Sequence, residues 1–96
     1  MSRNNPKTAK EYTERAIISL VKKDFDSAIH DYDKAICLDP NLAEARKDRG
    51  YAWFGKGEYS KALIDFNEAI RLNPNDQITI HIRDLVRMAL ERGWKH

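Results

Sequence analysis

Ninety-six residues, 42% hydrophobic and 33% charged, describe one small globular unit rather than a disordered chain. Seventeen Lys and Arg against fifteen Asp and Glu leave a net charge of +2, too near balance for a strong field toward nucleic acid or an anionic membrane. No apolar run approaches the roughly 20 residues that span a bilayer, MSRNNPKTAKEYTER at the start lacks the apolar core of a secretory signal, and the single cysteine, Cys37, excludes an internal disulfide. A cytoplasmic protein is expected, with an exposed thiol suited to a reducing compartment.

Residues 1–7 are polar, hold Pro6, and read as a loose tail. Thr8 then stands three residues before Glu11, the spacing of a capping box. A first helix is predicted from about Ala9 to Lys22, with Tyr12, Ala16, Ser19 and Leu20 on one face and Ile17 and Val21 widening it. After a tight turn at Lys23 and Asp24, a second helix starts near Asp26 as its cap and carries Ala28, Ile29, Tyr32, Ala35, Ile36 and Leu38. Pro40 stops it. A third helix covers about Leu42 to Lys56, and Gly57 stands where a helix end favours positive φ. A fourth covers about Ser60 to Leu72 and is closed by Pro74. The last stretch places Ile78, Ile82, Leu85, Val86 and Ala89 on one helical face before a stop at Gly93.

The second and fourth helices are two copies of one pattern. DFDSAIHDYDKAICLDPN occupies residues 24–41 and EYSKALIDFNEAIRLNPN residues 58–75, an offset of 34. A fixed period of this size marks stacked supersecondary units. Ala28, Ala62 and Gly50 are small enough to let helix backbones approach, and Phe25, Tyr32, Tyr59 and Phe66 read as core wedges. Cys37 recurs as Arg71, so its site tolerates solvent. Arg15 recurs as Arg49 and Asp31 as Asp65, which predicts an Arg–Asp pair inside each hairpin. Strict continuation of the period would put Arg83, Asp84 and Arg87 on the packing side of the last helix; its apolar stripe instead predicts a shift of about one residue.

Gly50, Trp53, Gly57, Tyr59, Ala62, Phe66, Ala69 and Pro74 in the second unit, and Tyr12, Ala16, Phe25, Ala28, Tyr32, Ala35 and Pro40 in the first, resemble the tetratricopeptide repeat pattern. Ser19, Lys23 and Arg46 depart from it. The resemblance implies an all-α, right-handed helical-hairpin solenoid of about five helices. Its single domain spans 8–96, with repeat one at about 9–42, repeat two at about 43–76 and a capping helix at about 77–92. It further implies a non-enzymatic adaptor whose concave face binds a peptide or partner helix. In that geometry the first repeat supplies Lys10, Thr13, Ile17 and Leu20, the second Glu44, Lys47, Tyr51 and Phe54, and the cap His81, Leu85 and Met88. The family's best-known groove device, a clamp of Lys, Asn and Arg on the C-terminal carboxylate of heat-shock chaperones, is absent: Thr13 and Ile17 stand where it needs Lys and Asn. An apolar groove of Ile17, Leu20, Tyr51 and Phe54 remains, flanked by Lys10 and Lys47.

No Gly-rich phosphate loop, nucleophile elbow or zinc spacing occurs, so no catalytic residue, cofactor or metal is expected. His30, Asp31 and Asp33 are too close along one helix to share a site, and His81 with Asp84 makes only a lone pair. Arg83, Arg87, Arg92 and Lys95 read as a solvated edge rather than a nucleic-acid contact. The alternative to an adaptor is a self-assembling scaffold, dimeric or helix-swapped, that uses Ile80, Met88 and Trp94.

Overall fold

The computed structural model describes residues 5–93, which form five α-helices and no strand: α1 Ala9–Val21, α2 Phe25–Leu38, α3 Ala43–Gly55, α4 Tyr59–Leu72 and α5 Gln77–Glu91. Two hairpins, α1–α2 and α3–α4, stack through α2 on α3, and α5 closes against α4. The result is an elongated all-α helical-hairpin solenoid of 50 × 29 × 18 Å. No helix among the described residues is long and apolar enough to cross a membrane.

Local chemistry sets the boundaries. Thr8 accepts from the Glu11 N–H at 3.1 Å while Glu11 Oε1 accepts from the Thr8 N–H at 3.2 Å, so the predicted capping box is present. The second helix starts at Phe25, and its cap lies two residues earlier than the sequence implied. Asp24, not Asp26, is its cap and accepts from the Ser27 N–H at 3.3 Å. The reason is Lys23, whose φ of 64° reverses the chain before Asp24. Gly57 does the same work one repeat later at φ 81°, without a Cβ to strain. Asp76 caps α5, accepting from the Thr79 N–H at 3.1 Å and from Thr79 Oγ1 at 2.7 Å.

The core is built on small residues facing large ones. Ala16, Ala28, Ala35, Ala45, Ala52 and Ala62 are wholly buried, and Tyr32 and Phe66 fill the space they leave. A Cβ on Gly50 would stand 2.7 Å from the Phe66 ring, and one on Gly55 would strike the Phe25 ring. Val21, by contrast, is exposed, because no described helix packs on that side of α1.

The period of 34 runs through α5 without the expected one-residue shift. Arg49 Nη1 bonds Asp33 at 2.7 Å, and Arg83 Nη1 bonds Asn67, the residue one period on, at 2.9 Å. Buried Val86 and Ala89 occupy the register of Ala52 and Gly55. The apolar stripe misled because Ile78 and Leu85, both exposed, belong to another face of that helix.

Candidate functional site

Since α1, α3 and α5 keep one register, four rows of side chains line up across them: Lys10, Glu44, Ile78; Thr13, Lys47, His81; Ile17, Tyr51, Leu85; and Leu20, Phe54, Met88. The structure divides these rows between two clefts.

Between α3 and α5 lies an apolar cleft of about 340 Å³, walled by Tyr51, Phe54, Tyr59, Ile82, Leu85 and Val86, with Ala89 at its base. Its aromatic wall is pre-set. Phe54 stacks on Tyr59 with centroids 5.2 Å apart, and Tyr51 meets Phe66 edge-on at 5.4 Å. Burial raises the Tyr51 hydroxyl above its ordinary pKa, so it stays protonated and able to donate. At the corresponding place between α1 and α3, the Phe25 ring sits over Gly55. Tyr59, in the place of Phe25, turns toward Phe54 instead and leaves the second space open.

The other cleft, about 350 Å³, lies between α1 and α3, where Lys10, Thr13, Glu14, Asp39 and Glu44 line it beside Ala9 and Leu42, largely through their carbon atoms. Lys47 bridges Glu44 at 3.3 Å and Asp76 at 3.9 Å. Burial opposes its charge, but Glu44, Asp48 and Asp76 outweigh that and its pKa is raised. Asp48, one turn beyond Glu44 on the same face, is 7% exposed. Burial, reinforced by Glu44 and opposed by Lys47, pushes its carboxyl up to about 6.

The structure thus brings Tyr51, Phe54 and Leu85 together in one cleft, and Lys10, Thr13 and Glu44 in the other. Ile17 and Leu20 line neither: Ile17 is 39% exposed, and Leu20 packs against the core of the first hairpin. His81 is exposed and stands in the Lys47 row. Ile80 is half-buried and Met88 exposed; Trp94 and Lys95 lie outside the described residues. Sequence reasoning missed Tyr59, Ile82, Val86 and Ala89 as cleft walls because it assigned them to packing, and it missed Asp48 because a single carboxylate has no periodic signal.

Two polar expectations change. His30 and Asp31 do meet, with Nδ1 and Oδ1 3.4 Å apart, although they are adjacent in sequence. Asp84 turns from His81 to Arg83 and Arg87, at 2.8 and 3.2 Å, which ties up half of the basic edge of α5.

The sequence pattern of the tetratricopeptide repeat family matches residues 15–91. The Arabidopsis OM64 TPR domain superposes with a TM-score of 0.82 at 28% identity, over 84% of this chain and 67% of that one. A chain of the UNC-45 chaperone, studied for the features critical for binding and folding muscle myosin, superposes with a TM-score of 0.81 at 30% identity. That match covers 86% of this chain but only 9% of UNC-45. No curated protein matches. With the family pattern covering most of its length and the helical register unbroken from α1 to α5, the chain belongs to the tetratricopeptide repeat family.

Proposed function

We propose that this chain is a non-enzymatic adaptor that binds a short peptide or partner helix of another protein along α1, α3 and α5, with an apolar side chain of the ligand anchored between α3 and α5. The observation that carries this reading is the cleft between Tyr51, Phe54 and Leu85, whose walls are almost wholly apolar. Leu85 is 52% exposed and Phe54 42%. A concave, pre-formed apolar site with a tyrosine hydroxyl nearby suits one bulky anchor. Family membership supports protein binding in general. Selection from a phage-displayed linear-peptide library tests the reading. Wild-type protein is expected to enrich sequences with a Leu, Met, Phe or Trp anchor, and Leu85→Asp, on an exposed position, to lose them. Equal recovery by both proteins removes the groove from the function.

The second reading, self-association, rests on a different face. Ile18 and Val21 are 57% and 77% exposed, whereas Ala52 and Val86, in the register of Ile18, are 0% and 3% exposed. A face that is packed in the other two hairpin positions is bare in this one, and a second copy would cover it. Sedimentation at micromolar concentration checks this. Ile18→Glu with Val21→Glu should be monomeric where the wild type is not, and a monomeric wild type ends the reading.

A further inference from the structure

The stack is built from one interface made twice. Against α3 lies α2, and against α5 lies α4. The earlier helix carries the same pattern each time: Ile29 and Asp33 in α2, and Leu63 and Asn67 in α4, one period on. Asp33 accepts from Arg49 Nη1 at 2.7 Å, and Asn67 from Arg83 Nη1 at 2.9 Å. Ile29 shares a core with Ala52, and Leu63 packs against the core that holds Val86.

The receiving face recurs on α1 with no described helix laid on it. Ile18 and Val21 stand in the register of Ala52 and Gly55 and are 57% and 77% exposed. Arg15 stands in the register of Arg49 and Arg83. Its Nε and Nη2 hold Asp31, and its Nη1 bonds nothing among the described residues. Beside it a cleft of about 480 Å³ opens between α1 and α2, lined by Arg15, Ser19, Asp26, Ser27, His30 and Asp31. One period after Ser19 stands Trp53, whose indole packs against the cores of both hairpins. With a serine in its place, the first unit lacks that ring.

We propose that this end of the stack docks a helix of another protein, laid on α1 as α2 is laid on α3. Continuity of the interface sets the chemistry of that helix. It carries an Asp or Asn to meet Arg15 Nη1, and four residues earlier an aliphatic side chain to cover Ile18. A large side chain fills the space beside Ser19. Glu11 and Glu14, both exposed, stand in the register of Ala45 and Asp48, so a Lys or Arg follows about one turn after the Asp or Asn. Because Asp31 already fixes the guanidinium, a second acceptor on it costs little side-chain entropy and gains a charge-assisted hydrogen bond. A second copy of this chain has no such helix to spare, since its α2 and α4 cover its own α3 and α5.

Selection from a phage-displayed library of helix-forming peptides tests this, and it does not depend on the groove between α3 and α5. Wild-type protein is expected to enrich helices with Asp or Asn and an aliphatic residue four positions before it. Ile18→Glu, on an exposed position, should lower their recovery about tenfold, and Leu85→Asp should leave it unchanged. Arg15→Lys, which keeps the charge but not the fork, should weaken the preference for Asp or Asn. Ser19→Trp, which supplies the missing ring from this chain, should remove the preference for a large side chain. A pool without Asp or Asn at that spacing overturns the inference, as does one lost in Leu85→Asp and kept in Ile18→Glu. A dimer in sedimentation that Ile18→Glu with Val21→Glu dissociates makes a second copy the occupant and overturns it too. Thermal melts of each variant confirm that the fold persists.

Discussion

Arg49 holds Asp65 with two parallel bonds, both 2.8 Å, from Nε and Nη2. Its remaining Nη1 reaches Asp33 on the preceding hairpin at 2.7 Å. One guanidinium therefore fixes α3 to α4 and to α2 at once. Arg15 holds Asp31 in the same way, at 2.8 and 2.9 Å, and no described helix lies before α1 to supply a third contact. The two pairs also differ in exposure: the Arg49 side chain is 19% exposed and that of Arg15 is 47%.

That difference ranks two substitutions. Asp65→Ala leaves a largely buried arginine with Asp33 alone and should cost about 3 kcal/mol. Asp31→Ala leaves a guanidinium that water can reach, and should cost about 1–2 kcal/mol. Urea unfolding of both variants checks the order, and a reversed order would show that burial does not govern these pairs.

Lys23 should gain from the residue that its repeat partner already has. At φ 64° a side chain is strained, and Gly57 holds the equivalent place at φ 81°. Lys23→Gly is expected to stabilise the fold by about 0.5–1 kcal/mol, and Gly57→Ala to destabilise it by about 1 kcal/mol. Thermal melting measures both.

Gly50 permits no Cβ without displacement of Phe66. With the ring carbon 2.7 Å from the ideal Cβ position, Gly50→Ala should cost about 1–3 kcal/mol. A smaller side chain at residue 66 should relieve the clash, so Gly50→Ala with Phe66→Leu should be less unfavourable than the sum of the two single changes. A double-mutant cycle reads the coupling directly.

Asp48 makes stability depend on pH in an unusual direction. Its carboxyl is raised from 3.8 to about 6, so between these values the folded state binds the proton and the unfolded chain does not. Stability should therefore fall as pH rises from about 4 to about 6, by about 3 kcal/mol if the whole shift is expressed. Glu44, Lys47 and the Tyr32 and Tyr51 hydroxyls are the titratable groups that interact with it. Asp31 and Asp76 oppose this at lower pH: hydrogen bonds from Arg15 and from Thr79, respectively, depress their pKa values, and their contribution is lost as acid protonates them. Stability should thus peak near pH 4–5, and Asp48→Asn should flatten the fall above the peak. Denaturation across that range, for both proteins, tests the sign.

Much of this protein was legible from its letters alone. The offset of 34 gave the hairpins and their stacking, since each copy repeats its small residues, its aromatic wedge and its closing proline. The Arg–Asp pairs followed from the same period, because a polar pair that recurs in register with a core must lie beside it. Thr8, Gly57 and Gly93 announced their turns through side-chain chemistry that acts within a few residues.

Tertiary structure decided what depends on contacts between distant helices. Whether a groove position is open or filled turned on the Phe25 ring resting on Gly55 while Tyr59 leans on Phe54, a difference between two aromatic residues at equivalent places. The single groove expected from the sequence is divided between a cleft at Tyr51, Phe54 and Leu85 and a second at Lys10, Thr13, Glu14, Asp39 and Glu44. Packing also buried Asp48 to 7% exposure, a state no periodicity predicts, because desolvation is set by everything packed around a side chain and not by its neighbours in the chain.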